Sequence, residues 1–309
     1  MISLRRIDHV GLRVADLDEA IGRWGIQFGL TEVERAGHHA FLRCGYEPYS
    51  LELIGQGEPG HDHTAFELRR DVSLDDATRH LDHHGIEHEA RDGALFLDDP
   101  DGNGIQLMPH RDDDDRRPDI ARTGLALPGF RPRKLGHVNV LTGRMAEQTT
   151  FYTDALGMRV SDRLGDGGIW FHINSDHHVM ALVGKTPAHF HHLAFDMVDW
   201  GNLRVAFDHL AQHGRWLGWG PVRHGLAQNL CGYVRITEEP LFVELYCDME
   251  QLDADHVPRE WPDDRHSSNT WGPLPPRSYF RFDEEAVRYE RDSLEMLGEK
   301  LPPLKEVPI

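Results

Sequence analysis

The second half of this chain repeats the pattern of the first, and this repeat constrains the fold more than any other feature. The segment IDHVGLRVADLDEAIGRWGIQFGLTEV near the start is similar to LGHVNVLTGRMAEQTTFYTDALGMRVSD, which begins the second half. Five landmarks recur: His9 with His137, Gly29 with Gly157, His63 with His192, Gly85 with Gly214, and Gln106 with Glu244. The first four pairs lie 128 or 129 positions apart and the last pair 138 positions apart. Such regular spacing predicts a duplicated domain.

Each half is predicted to contain two similar units. A strand of alternating apolar residues around Val10 leads into ADLDEAIGRW, a helix with acidic residues at its start. Apolar runs such as AFLRCG and YSLELIG, separated by Gly and Pro, predict further strands. The segments HTAFELRR and SLDDATRHLDHHG then begin the pattern again. The sequence therefore predicts an α+β fold of four such units in two tandem domains.

The two domains are predicted at residues 1–115 and 133–250, followed by an extension at 251–309. The run HRDDDDRRPD, His110–Asp119, lies between the domains, and a charged block of this kind is typical of a solvated linker. The extension is polar and rich in Pro. Its segment Trp261–Phe280 is a candidate lid, and DEEAVRYERDSLEMLGEK is predicted to form a final helix.

The acidic composition excludes several classes of partner. Lys and Arg number 33 against 52 Asp and Glu, which gives a formal net charge of −19. Because nucleic acids and anionic membranes bind proteins through cationic side chains, we expect neither as a partner. No apolar run approaches the roughly 18 residues that a membrane span requires, and MISLRRIDHV lacks a signal-peptide core. The three cysteines form no CxxC motif, which predicts no disulfide framework and a cytoplasmic location.

Three polar side chains near the centres of predicted strands of the second half form a candidate metal site. His137 lies in LGHVNV, His192 in FHHLAF and Glu244 in LFVELY. A carboxylate inside such an apolar run is costly to bury unless a cation meets it. Two imidazoles and one carboxylate on one face of a sheet leave half of a coordination sphere open, as in non-haem Fe(II) oxygenases. Mn(II) and Zn(II) also accept this set.

The first half keeps the two histidines but not the acid at the third position. His9 and His63 occupy the equivalent places, whereas Gln106 stands where the second half has Glu244. A neutral amide is a poorer ligand and does not offset the charge of a divalent ion. We therefore expect the first half to bind no metal and to act as a structural partner.

The second half resembles the type I extradiol ring-cleaving dioxygenases of the vicinal oxygen chelate superfamily, closest to their homoprotocatechuate and catechol 2,3-dioxygenase branch. The shared motifs lie within Leu135–Tyr246: a Gly–His–Val–Asn strand, a His–His–x–Ala–Phe strand, and a His–Gly followed by a Tyr and a strand Glu. The resemblance implies two tandem domains over about residues 1–250, each built from paired βαβββ modules that form an open barrel. It also implies that His137, His192 and Glu244 bind Fe(II), with Mn(II) as an alternative.

The same resemblance assigns roles to further residues. His178, in DHHVMAL, matches a histidine that assists oxygen activation and proton transfer in the family. His224 and Tyr233 match the pair that hydrogen-bonds the bound catechol, and Asn139 and Trp170 match residues that line the substrate pocket. The implied reaction is meta-cleavage, with O2 opening the ring next to the two hydroxyls. Family members are commonly homo-oligomers, so a dimer or tetramer is expected.

Two observations on the residues themselves support these roles. The stretch between Gly214 and Glu244 is nine residues longer than its first-half counterpart and contains GPVRHGLAQN, which suits a substrate-binding loop. In HHVMAL, strand alternation directs only one of His177 and His178 inward. We favour His178, whose imidazole is expected to titrate near neutral pH.

The substrate is expected to be a catechol-type aromatic whose substituent the sequence does not fix. In the arylacetate-cleaving branch an arginine stands a few residues before the His–Gly and meets the substrate carboxylate. The corresponding residue here is Trp219. This difference favours a less acidic or bulkier substrate, with Arg223 or Arg277 as a substitute for the missing cation.

Two alternative functions stay open. Another metal-dependent enzyme of the superfamily, such as an isomerase or a 4-hydroxyphenylpyruvate-type dioxygenase, would share the metal ligands but not the set of His178, His224 and Tyr233. A non-catalytic protein that binds an aromatic compound is the second alternative. Metal analysis and oxygen consumption with catechol distinguish these possibilities.

Two other patterns are interpreted as structural. The helix pairs His80/His84 and His209/His213 have a spacing that can bind zinc, but no HExxH is present and both pairs are expected at exposed helix ends. The run DPDGNG, Asp99–Gly104, resembles part of a calcium loop but lacks the distant Glu, so it is predicted as a hairpin turn.

Overall fold

The structure is a computed structural model that describes residues 1–45, 47–112, 129–280 and 288. Most of the predicted linker and, apart from residue 288, the predicted final helix lie outside the described residues. The described helices include none that is long and apolar enough to span a membrane. The three cysteines are buried free thiols.

In its described residues the first half forms an eight-stranded sheet with two helices. The strands are β1 Leu4–Arg13, β2 Thr31–Ala36, β3 His39–Arg43, β4 Leu51–Ile54, β5 Gly60–Leu68, β6 His88–Arg91, β7 Ala94–Asp98 and β8 Gly104–Met108. Helix α1, Leu17–Phe28, follows β1, and helix α2, Leu74–His83, follows β5. The strand order is β2-β3-β4-β1-β5-β8-β7-β6, so β1 and β5 lie side by side at the centre.

The described part of the second half forms a nine-stranded sheet. The strands are β9 Lys134–Leu141, β10 Arg159–Leu164, β11 Gly168–His172, β12 Met180–Val183, β13 His189–Asp196, β14 Leu217–Arg223, β15 Leu230–Ile236, β16 Leu241–Cys247 and β17 Arg259–Trp261. The helical segments are α3 Met145–Thr150, a π-helical continuation Phe151–Ala155, α4 Trp200–Gln212, α5 Arg265–Ser268 and a 3-10 turn Arg277–Phe280. The order is β14-β15-β16-β13-β9-β12-β11-β10-β17.

Strand pairing confirms the predicted duplication. Strand β1 pairs in parallel with β4 and antiparallel with β5, and β9 pairs in the same way with β12 and β13. Each sheet therefore joins two strand–helix–strands modules through their first strands, and each sheet is open at its ends. The C-terminal extension adds β17 to the edge of the second sheet, beside β10.

Two repeated glycines show how closely the halves pack. Gly29 and Gly157 both have φ of 68°, a left-handed conformation that favours glycine. A Cβ atom on Gly29 would lie 2.1 Å from the carbonyl oxygen of Phe130, and one on Gly157 would lie 2.3 Å from that of Ile2. Because each glycine has no side chain, the backbone that precedes the first strand of the opposite half can pack directly against it. The two glycines therefore occupy equivalent positions in the interface between the halves.

The structure contradicts part of the prediction for the helical histidines and confirms the predicted turn. The expectation that both histidine pairs lie at exposed helix ends is wrong for His209, which is buried and whose Nε2 lies 2.7 Å from the carbonyl oxygen of Ile26. Of the other three histidines only His84 is exposed as expected, whereas His80 and His213 are half-buried. The hairpin turn Asp99–Gly104 is confirmed, because it joins the antiparallel strands β7 and β8.

Candidate metal centre

The three predicted ligands lie on neighbouring strands. His137 is on β9, His192 on β13 and Glu244 on β16, with β13 between the other two. Ala194 of β13 is level with His137 on one side and with Glu244 on the other. Because Ala194 has a small side chain, the imidazole and the carboxylate meet across it. His192 stands two residues before Ala194 and so projects from the same face of the sheet.

The side chains converge on one carboxylate oxygen. Glu244 Oε2 lies 2.9 Å from His137 Nε2 and 3.2 Å from His192 Nε2, and all three residues are buried. Among the described residues, no Lys or Arg lies within salt-bridge distance of Glu244. Burial opposes ionisation, but the two imidazoles outweigh it and hold the pKa of Glu244 well below its usual range. A buried anion facing two imidazole nitrogens is a donor set that fits a divalent metal ion.

A residue that the sequence did not single out holds the second oxygen of this carboxylate. Asn229 donates a hydrogen bond from Nδ2 to Glu244 Oε1 over 2.8 Å, and Asn229 is buried. With Oε1 held in this way, Oε2 faces the two histidines. Outer hydrogen bonds of this kind orient a metal-binding carboxylate. Asn229 ends the segment GPVRHGLAQN, so the extra length of that loop was the available signal.

His178 is connected to a buried carboxylate through His177. His177 Nε2 lies 3.0 Å from Asp162 Oδ2, and His177 Nδ1 lies 3.2 Å from His178 Nδ1. Because a carboxylate only accepts, His177 donates from Nε2 and accepts at Nδ1 from the N–H of His178. In this tautomer Nε2 of His178 keeps its lone pair, and the ring lies 4.3 Å from that of His137 between centroids. We refer to Asp162, His177 and His178 as the histidine relay.

Two expectations about these histidines need correction. Both His177 and His178 are buried, so the expectation that only one points inward is wrong. They precede β12 rather than belong to it, and strand alternation therefore does not apply to them. Burial and the neighbouring His137 also hold the pKa of His178 well below its usual range. His178 is consequently neutral rather than titrating near neutral pH, and its Nε2 can accept a hydrogen bond.

His224 and Tyr233 form a hydrogen-bonded pair beside the ligands. His224 donates from Nδ1 to the carbonyl oxygen of Ser268 over 2.8 Å. Its Nε2 therefore accepts the hydrogen bond from the Tyr233 hydroxyl, over 3.0 Å. Burial lowers the pKa of His224 and raises that of Tyr233 well above its usual range, so both are neutral. The Tyr233 ring packs edge-on against His192, 5.4 Å between centroids.

A cavity of about 150 Å³ adjoins the three ligands. The predicted substrate residues that line it are Asn139, Trp170, Trp219, His224 and Tyr233. The apolar side chains around them include Leu164, Val183, Leu226, Tyr279 and Phe280. The size and the largely apolar wall suit one small aromatic ring.

Of the two predicted substitutes for a substrate-binding cation, only Arg223 has a described side chain, and it does not line this cavity. Arg223 is absent from the described lining, and its guanidinium lies 3.5 Å from Asp248. The side chain of Arg277 lies outside the described structure. Among the lining residues that are described, none is Lys or Arg.

The C-terminal extension contacts the site at two places. Its Tyr279 packs 5.0 Å from the ring of Tyr233 between centroids and lines the cavity. The extension also contacts the histidine relay, where Trp261 donates from Nε1 to Asp162 over 2.8 Å and Arg259 donates to the same carboxylate. The segment Trp261–Phe280 therefore forms part of the cavity wall, and its opening as a lid stays a prediction.

Both halves match one protein family, described as the glyoxalase/bleomycin resistance protein/dioxygenase superfamily, at residues 6–107 and 134–240. The chain belongs to this superfamily. A metapyrocatechase 2 from Cupriavidus necator is 30% identical over 308 residues, which cover 90% of this chain and 92% of the relative. A metapyrocatechase from Geobacillus stearothermophilus is 25% identical over 256 residues, which cover 76% and 78%.

Solved structures share the fold of this superfamily member. An extradiol ring-cleaving dioxygenase from B. fuscum has a TM-score of 0.80 at 21% identity, covering 92% of this chain and 85% of that protein. A Mn(II)-bound glyoxalase from Novosphingobium aromaticivorans has a TM-score of 0.77 at 22% identity, covering 92% and 96%. At these identities the likeness concerns the fold alone.

The first half of this superfamily member also brings a carboxylate to its two histidines. Glu52 Oε2 lies 3.3 Å from His9 Nε2 and 3.4 Å from His63 Nε2. The expectation that this half has no carboxylate at its histidines is therefore wrong. The sequence comparison missed Glu52 because it considered only Gln106, the counterpart of Glu244.

Proposed function

We propose that this protein is an extradiol dioxygenase that opens the ring of a catechol-type aromatic with O2 at a mononuclear Fe(II) centre, with Mn(II) as the alternative ion. The main support is the buried Glu244, whose Oε2 faces His137 and His192. Two relatives named metapyrocatechase support the same reaction. A homo-oligomeric state and a cytoplasmic location stay predictions.

The protein groups around the cavity suit this reaction. A divalent ion held by His137, His192 and Glu244 would acidify a catechol hydroxyl and offer open positions on its cavity side. Tyr233, which donates to His224, can pass the proton of the second hydroxyl to that imidazole. His178 has an unprotonated Nε2 and lines the same cavity, so it can accept a proton and return it to the opening ring. The apolar wall excludes water and orients the ring.

The direct test is oxygen uptake with catechol after anaerobic reconstitution with Fe(II) or with Mn(II). We expect equimolar consumption of catechol and O2 and a yellow ring-opened product. Binding of catechol without oxygen uptake under both metals would contradict the proposal and favour a non-catalytic binder. Conversion of a substrate without oxygen uptake would favour an isomerase.

The cavity predicts a preference for catechols with a neutral substituent. Because no Lys or Arg is among its described lining residues, a substrate carboxylate would be buried with no cationic partner among them, which is costly. We expect kcat/KM for 4-methylcatechol to exceed that for 3,4-dihydroxyphenylacetate by at least ~100-fold, about 2.7 kcal/mol. Steady-state oxygen uptake over both substrates measures this ratio. A higher kcat/KM for the carboxylate would show that a cation reaches the cavity during turnover.

The histidine relay predicts a defect when its middle member is removed. His177→Phe keeps a planar ring but deletes the acceptor for the N–H of His178, so His178 loses its fixed tautomer. We expect kcat to fall about 10- to 100-fold while the bound metal is retained, as measured by oxygen uptake and metal analysis. His256→Phe is the matched control, because His256 also neighbours Asp162, at 3.7 Å, but does not contact His178 in the relay. Equal rates for the two variants would exclude a role for the relay.

A further inference from the structure

The four strand positions around the metal centre of the second half have equivalents in the first half. In the second half Ala181 of β12 is level with Asn139 of β9. In the first half Glu52 of β4 is level with Gly11 of β1, and Gly11 is the repeat counterpart of Asn139. Glu52 therefore takes the place of Ala181. The second-half set is His137, Ala181, His192 and Glu244, and the first-half set is His9, Glu52, His63 and Gln106.

Three donor atoms of the first-half set form a compact triangle. His9 Nε2 lies 2.9 Å from His63 Nε2, and Glu52 Oε2 lies 3.3 Å and 3.4 Å from these two nitrogens. With metal–ligand bonds near 2.1 Å, neighbouring donors are about 3.4 Å apart in a tetrahedral site and about 3.0 Å apart in an octahedral one. The triangle is therefore close to the size that one metal ion requires. All three residues are buried.

The neighbours of the two histidines direct their Nε2 lone pairs into this triangle. Asp8 accepts from His9 Nδ1 over 2.8 Å, and Asp62 accepts from His63 Nδ1 over 2.9 Å. With Nδ1 held by a carboxylate, each imidazole directs its Nε2 toward the other imidazole and toward Glu52. Three acceptors this close repel one another unless positive charge lies between them. A shared proton can bridge two of these atoms, whereas a divalent ion can bind all three. Histidines that donate their other ring N–H to a carboxylate, as His9 and His63 do, are typical of metal sites.

Gln106 supplies a fourth acceptor on the same row of the sheet. Ala65 of β5 is level with His9 on one side and with Gln106 on the other, which is the relation of Ala194 to the ligands of the second half. Gln106 is only 8% exposed, and its Oε1 has no hydrogen-bond partner in the described structure. A buried acceptor without a partner is costly, and a cation at the triangle would satisfy it.

We infer that the first half binds a divalent transition-metal ion through His9, Glu52 and His63, with Gln106 as the fourth donor. Glu52 fills the position that Ala181 leaves open beside the substrate cavity of the second half. Four protein donors make this a closed, structural site, in contrast to the open centre of the second half. The ion joins β1, β4, β5 and β8, and so both modules of the first half. His63 also lines an open cleft of about 850 Å³, through which an ion can enter.

The test counts Zn(II) bound per chain at equilibrium, with free Zn(II) buffered below the micromolar range to suppress surface binding. Zn(II) has no redox chemistry, so the count is independent of dioxygenase activity. We expect two equivalents for the wild type, one for Glu52→Gln, one for Glu244→Gln and none for the double variant. Glu52→Gln is expected to weaken the first-half site by at least ~100-fold. Glu34→Gln is the matched control, since Glu34 is an exposed carboxylate of the same half that does not line this cleft, and it should keep two equivalents.

Either of two results would overturn the inference: Glu52→Gln with the wild-type count, or Glu244→Gln with no bound Zn(II). Thermal unfolding of Glu244→Gln gives a second measurement that does not depend on the folding of Glu52→Gln. Zn(II) should raise its Tm by several degrees, because an ion that binds only the folded chain stabilises it. An unchanged Tm would count against the site. If catechol produces no oxygen uptake but two equivalents bind, the proposed function fails and this inference stands.

Discussion

Replacing Glu244 with Gln is expected to abolish ring cleavage and to remove one equivalent of bound metal. The variant keeps the size of the side chain but removes the negative charge between His137 and His192. It also places an amide donor in the position from which Oε2 faces the two imidazole nitrogens. We expect kcat for catechol to fall by at least ~1,000-fold, about 4 kcal/mol of transition-state stabilisation. Oxygen uptake and metal analysis of the same preparation measure both effects.

The interpretation of this variant depends on a control that changes charge without touching the site. Glu147→Gln makes the same substitution on α3, where the side chain is 57% exposed and pairs with Arg144. It should retain wild-type turnover and metal content, because exposed ion pairs contribute little. Glu244→Gln with a full complement of Fe(II) and undiminished turnover would show that Glu244 is not a ligand, and the proposed reaction would lose its main support.

The convergence of the three candidate ligands in the second half could be predicted because the repeat and the strand pattern are both encoded locally. His137, His192 and Glu244 each interrupt an apolar strand, and strands have a regular period that places side chains on a known face. The duplication then showed that these were equivalent positions and not isolated polar residues. The arrangement of strands in two sheets followed from the same repeat and is confirmed.

The residues that sequence could not reveal act through contacts between distant segments. Asn229 is significant only because it reaches Glu244, and Asp162 only because it reaches His177. Comparing the two halves position by position also did not identify Glu52, because its counterpart in the second half is Ala181, which cannot bind a metal. His177 was misjudged because the rule of strand alternation was applied to a segment that is not a strand. In each of these cases the sequence gives the residue type but not the residue that it contacts in the folded chain.

Removing the imidazole of His178 is the change expected to have the second largest effect. His178→Leu keeps a buried side chain of similar volume and deletes the Nε2 that adjoins the cavity. Because the histidine relay leaves this nitrogen unprotonated, His178 can act as the base and acid of the reaction. General acid–base groups typically contribute about 10²- to 10⁴-fold, so we expect kcat to fall within that range. Oxygen uptake over a range of catechol concentrations separates kcat from KM.

Retention of the metal distinguishes this role from support of the ligands. His178 lies 4.3 Å from His137 between ring centroids, and a merely structural residue there would lower metal content together with activity. We expect His178→Leu to keep the metal content of the wild type, while His213→Leu, at the end of α4, keeps both metal and turnover. A wild-type kcat in His178→Leu would exclude His178 from proton transfer. Loss of metal in proportion to activity would place His178 among the residues that position His137.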